Sequence, residues 1–73
     1  MAVDTDLIRI KMIERGISNF SELSELSEVN RNTISDIINN KSRPSATTMD
    51  KLYKVLELTP EEGGRIFFGQ KLT

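Results

Sequence analysis

The sequence contains no cysteine and no histidine. Without cysteine there is no disulfide framework, no thiolate metal site and no cysteine nucleophile. Without histidine the usual near-neutral acid/base group, imidazole zinc ligation and any triad using imidazole are excluded. Aromatic residues are scarce, with one Tyr, three Phe and no Trp, which argues against an aromatic-lined substrate pocket. No glycine-rich phosphate loop or nucleophile signature is present. No apolar run approaches the ~20 residues of a membrane span. Met1-Ala2-Val3-Asp4 lacks the basic-then-apolar start of a secretory signal. These absences point away from an enzyme, a metal, a cofactor and a membrane partner, and the expected compartment is the cytoplasm.

What is present suits one small folded domain spanning residues 1–73, with 37% hydrophobic and 29% charged residues. A chain this short buries ~60% of its unfolded surface, enough for one small core. The formal net charge of −1 hides an asymmetry. Residues 1–28 carry a net −3, residues 29–54 a net +3, and residues 55–73 a net −1. The middle third is a basic island, as a contact face for a polyanion requires and as an ordinary solvated helix surface also allows.

Apolar periodicity predicts four or five short helices and no strand. The first is expected over residues 5–15, with Thr5 as N-cap, Gly16 as stop, and Val3, Leu7, Ile10, Ile13 and Ile17 forming its apolar face. Ile8 and Met12 fall on the opposite side, where they either widen the core stripe or are exposed. A second helix is expected over residues 21–28, with Leu23 and Leu26 inward and Phe20 near its start. Ser21, Ser24 and Glu25 leave more than one capping register open. Asn30 is a strong N-cap for a third helix over residues 31–39, with Thr33, Ile34, Ile37 and Ile38 inward and Arg31, Asn32, Ser35, Asp36 and Asn39 outward. Asn39 and Asn40 suit its C-terminus, because Asn tolerates the left-handed conformation.

Lys41-Ser42-Arg43-Pro44 reads as a basic loop, followed by Ser45 as the cap of a fourth helix over residues 46–57. Its apolar face is Met49, Leu52, Tyr53, Val55 and Leu56. Thr59-Pro60-Glu61-Glu62 is a helix start with a capping Thr, Pro at the first position and Glu three residues on. Gly63-Gly64 should weaken that fifth helix at once. Glu61 and Glu62 are better read as dipole-favoured first-turn residues than as a catalytic or metal pair. Glu22, Glu25 and Glu28 read as a solvated acidic row.

Two short helices joined at Glu28-Val29-Asn30, the second opening with Arg31 and Asn32, have the layout of a helix-turn-helix. Arg can donate two hydrogen bonds to guanine and Asn can bond adenine at two atoms, while small Ser35 permits close approach. Asn39 lies one turn further along the same side. With "VNRNTIS", the basic loop ending in "RPS" and then "TMDKL", the chain resembles the phage-repressor-like helix-turn-helix family of the lambda repressor and Cro over about residues 5–60. The resemblance implies an all-α bundle, double-stranded DNA as partner and a homodimer on a pseudo-palindromic operator, most simply as a repressor. Leu23, Val29, Ile34 and Ile37 match buried positions of the helix pair. Arg31, Asn32, Ser35 and Asn39 match positions that face bases. Asn19, Ser21, Asn30, Thr33, Lys41, Arg43 and Ser45 match positions that hold phosphates. Ser24 stands where the family usually has Ala, Asn40 where it commonly has Gly, and Glu28 where the turn usually has Gly, so a side chain must occupy that turn.

Residues 61–73 lie beyond the resemblance. Ile66, Phe67 and Phe68 are the candidate dimer contact, with at least one Phe expected to fold back onto the core instead. A second reading is a protein-interaction module or antitoxin-type adaptor, in which a regulatory protein partner takes this same apolar triplet.

Overall fold

A computed structural model describes residues 3–69. Among them are five helices and no strand: α1 (Thr5–Glu14), α2 (Phe20–Ser27), α3 (Arg31–Ile38), α4 (Ala46–Leu56) and α5 (Pro60–Phe68). α2 packs on α3 and α4, and α1 packs on α5. One apolar core joins all five, built from Ile8, Met12, Leu23, Ile34, Ile37, Leu52, Leu56, Ile66 and Phe67, with Val3, Ile17 and Val29 contributed from the connections. Each fully buried aliphatic or aromatic side chain contributes about 1.5–3 kcal/mol.

α1 departs from expectation in both its cap and its face. Asp4, not Thr5, is the N-cap, its carboxylate accepting from Leu7 N at 3.1 Å. The same carboxylate reaches Arg65 at 3.4 Å, and Asp4 N donates to Ile66 O at 2.9 Å, so this cap also ties α1 to α5. Ile8 and Met12, on the side opposite the expected face, are buried, whereas Ile10 and Ile13, expected inward, are 50% and 77% exposed. Val3 and Ile17 are buried as expected, but both lie outside the helix and so do not mark its face. α1 is apolar on both sides, and periodicity alone cannot orient such a helix.

Lys11 shares the buried side. It lies between Ile8 and Met12 and is itself buried, its ammonium donating to Glu14 at 2.6 Å and to Glu62 of α5 at 2.9 Å. The hydrogen bonds to Glu14 and then Glu62 raise the Lys11 pKa above 10.5. The Lys11 bond, then the Thr59 N–H, hold the Glu62 carboxyl below 4.5. The depressed Glu62 value stabilises the fold above the ordinary carboxylate pKa and ceases to do so as pH falls through it. The raised Lys11 value acts in the other direction and is lost as pH rises through it. Thermal melts of the wild type should therefore show a plateau between about pH 5 and 10 with a fall on each side. In Glu62→Gln the acid-side fall should shrink; an unchanged acid limb would rule out this linkage.

α2 begins one residue before the expected range. Asn19, not Ser21, is its N-cap, with Oδ1 accepting from Glu22 N at 2.8 Å. Glu22 reaches back to accept from Ser18 N at 3.1 Å. Its inward side is Phe20, Leu23 and Ser27; Leu26, expected inside, is 58% exposed. α3 and α4 have the expected starts, capped by Asn30 and Ser45. At α5 the Thr59–Glu62 capping box is present in full, and the helix runs through Gly63 and Gly64 instead of failing there. Ile66 and Phe67 are sealed into the core, at 0% and 2% exposure. As dimer contacts these two are corrected: their surface is already spent inside the fold. Of the triplet only Phe68, 40% exposed, reaches solvent.

Candidate nucleic-acid interface

The turn between α2 and α3 is made by three residues, each with a specific task. Glu28 adopts the left-handed conformation, φ 60° and ψ 27°. Val29 is buried in the core. Asn30 starts α3, its Oδ1 accepting from Asn32 N at 2.8 Å. Ser24, in place of the usual Ala, donates its hydroxyl to Val29 O and so ties the turn to α2. Ser27 adds a second tie, donating to Leu23 O at 2.6 Å and accepting from Val29 N at 3.3 Å. On the other side, Lys51 of α4 donates to Glu28 O at 3.4 Å.

A non-glycine residue in the left-handed region costs about 1–2 kcal/mol, and glycine returns part of that as unfolded-state entropy. Glu28→Gly should thus stabilise the fold by roughly 0.5–1 kcal/mol, a rise in Tm of about 2–8 °C. A lower Tm would show that the Glu28 side chain contributes more than its backbone strain costs.

With the turn fixed, Ile34 and Ile37 bury one side of α3 and the opposite side is open. Arg31, Asn32, Ser35 and Asn39 are all exposed on that open side. Asn39 Nδ2 donates to Ser35 Oγ at 3.3 Å, which holds the two as a pair along the helix. The turn after α3 is set by Asn40, which is left-handed at φ 56° and accepts Val3 N on its Oδ1 at 2.8 Å. The sequence foresaw the conformation of Asn40; its tie to the N-terminal segment joins residues 37 apart and leaves no local signal.

Lys41, Arg43 and Ser45 follow in the exposed loop and helix start. Among the described residues Arg31, Lys41 and Arg43 form no ion pair, so their charges are free to meet an anion. Asn30 and Asn19 are exposed, while Ser21 and Thr33 are half-buried. The caps on Asn19, Asn30 and Ser45 each use a side-chain oxygen, leaving the two Asn amide groups able to donate. α3 and the 41–45 loop are consecutive in the chain, so the candidate base and phosphate residues of this segment form one strip. Asn19 and Ser21 stand apart, at the start of α2. Ile66 and Phe67 do not join any surface.

No group of three or more carboxylate side chains is placed to hold a metal ion among the described residues. No helix among them is long and apolar enough to cross a membrane.

The family model for the Cro/C1-type HTH DNA-binding domain matches residues 8–62. A Haemophilus influenzae protein named as an uncharacterized HTH-type transcriptional regulator is 36% identical over 56 residues, which cover 77% of this chain and 52% of the relative. The chain therefore spans about half the length of the curated relative it matches. No solved structure matches. With the match covering both helices of the motif, the turn and the loop after it, the chain belongs to the Cro/C1-type helix-turn-helix family of DNA-binding domains.

Proposed function

We propose that the protein is a sequence-specific transcriptional regulator in the cytoplasm, a repressor that acts as a homodimer on a pseudo-palindromic operator in double-stranded DNA. The observation that carries this reading is the exposed row Arg31, Asn32, Ser35 and Asn39 on the open side of α3, followed by a basic loop that forms no ion pair among the described residues. α3 enters the major groove and α2 braces it across the backbone. Arg31 and Asn32 read base edges, each worth about 1–3 kcal/mol of discrimination. Ser35 and Asn39 face bases further along. Asn19, Ser21, Asn30, Thr33, Lys41, Arg43 and Ser45 hold phosphates and set the register. One α3 reads only a few base pairs, so two copies on half-sites ~34 Å apart supply the specificity. Repression requires only that the occupied operator exclude other proteins. The reading in which Ile66, Phe67 and Phe68 seize a protein partner loses two of its three residues to the core.

The test is selection from random duplex DNA at moderate and high salt. An inverted repeat should be enriched, and Arg31→Ala should relax preference at one position of each half-site by about 1–3 kcal/mol. Lys41→Ala should weaken all sequences alike and reduce the salt slope by about one. Sequence preference that survives Arg31→Ala intact would overturn the assignment of α3.

A further inference from the structure

We propose that the outer face of α1, centred on Ile10 and Ile13, is where a second copy of this chain docks. The proposal rests on the homodimer reading and supplies the surface that reading needs. Ile10 and Ile13 are 50% and 77% exposed, one turn apart on the same side of α1. Ile13 also borders a groove of about 380 Å³ walled by Met12, Ile17 and Phe20, with the Arg9 guanidinium 5.7 Å from the Phe20 ring centroid. The patch thus offers both protruding aliphatic side chains and a recess to receive one.

The flanking charges say what covers it. With Ile10 and Ile13 at the two seam positions of a heptad, Arg9 precedes the first and Glu14 follows the second. Those positions, five residues apart, face each other across a parallel two-fold seam, so Arg9 of one copy meets Glu14 of the partner subunit on both sides. Both groups have capacity to spare. Arg9 is 53% exposed, with Asp6 only at 4.0 Å. The Glu14 side chain is 47% exposed and gives one oxygen, Oε1, to Lys11. One heptad could not hold two free peptides together. Here α1 is already fixed on the core through Ile8, Lys11 and Met12, so association does not have to order it.

Sedimentation equilibrium of the full chain without DNA tests the surface separately from DNA recognition. The wild type should dimerise at micromolar concentration. Ile13→Lys should weaken dimerisation at least about tenfold, with helical content close to wild type because the side chain is exposed. Ile10→Ser should act in the same direction. Arg9→Glu, which sets like charges against Glu14, should also weaken the dimer, and Phe68→Ala should leave it intact. A monomeric wild type, or a dimer indifferent to Ile13→Lys and Ile10→Ser, would overturn the proposal. DNA selection that fails with a wild-type dimer sensitive to Ile13→Lys would instead count against the operator reading alone.

Discussion

Phe67→Ala should destabilise the protein by about 3–5 kcal/mol, while Phe68→Ala, one residue on, should change stability by less than about 1 kcal/mol. The two side chains are alike and the difference is entirely one of place. Phe67 is 2% exposed, inside the common core and 5.9 Å from the Tyr53 ring, whereas Phe68 is 40% exposed at the end of α5. Removing a buried phenyl loses its transfer free energy and leaves a cavity that five short helices cannot all close on. A chain of 73 residues has on the order of 4–11 kcal/mol of total stability. The Phe67 variant should accordingly lose at least about a quarter of that stability. Urea titration followed by helical ellipticity reads both effects. If Phe67→Ala kept wild-type stability and lost self-association, the triplet would be an interface and the core assignment would be wrong.

Signals that sit within a few residues of one another were legible in the sequence. The caps at Asn30, Ser45 and Thr59, Pro60 at the first position of α5, the buried Ile34 and Ile37, and the exposed Arg31, Asn32, Ser35 and Asn39 all follow from residue type and helical spacing. The left-handed Glu28 and Asn40 were legible by resemblance, because a turn needed that conformation at those positions. Much of what the sequence hid depends on distant partners. Ile8 and Met12 face inward and Ile10 and Ile13 outward, with Lys11 on the inward side bound to Glu62, 51 residues away. Asp4 takes the cap from Thr5 while also binding α5 through its backbone N–H and its carboxylate. Asn19 takes the cap of α2 because Glu22 closes the pair by binding Ser18 N. At α1 the outcome is tied to contacts with α5, whereas at α2 the deciding bonds are local and lie in a stretch where several residues could cap.

Gly63→Ala should reverse its sign with the residue at position 53. An α-helix interior normally gains about 1 kcal/mol when Gly becomes Ala. α5 nevertheless keeps Gly63 in its first turns, buried, where an added Cβ would overlap the Tyr53 phenol. Tyr53 is itself half-buried and its ring lies tilted by 39° against Phe67, so moving it aside gives up that contact. In the wild-type background Gly63→Ala should therefore cost about 1–3 kcal/mol, the usual range for overpacking. In a Tyr53→Ala background the space is open, and the same substitution should be neutral or stabilise by up to about 1 kcal/mol through helix propensity. The double-mutant cycle should return a coupling of roughly 1–4 kcal/mol between positions 53 and 63, above the few tenths expected of independent sites. Equal effects in both backgrounds would mean that Tyr53 yields freely and that room for its ring is not why position 63 is glycine. Gly63, half of the pair that reads as a helix breaker, is on this account what leaves room for the Tyr53 ring beside Phe67.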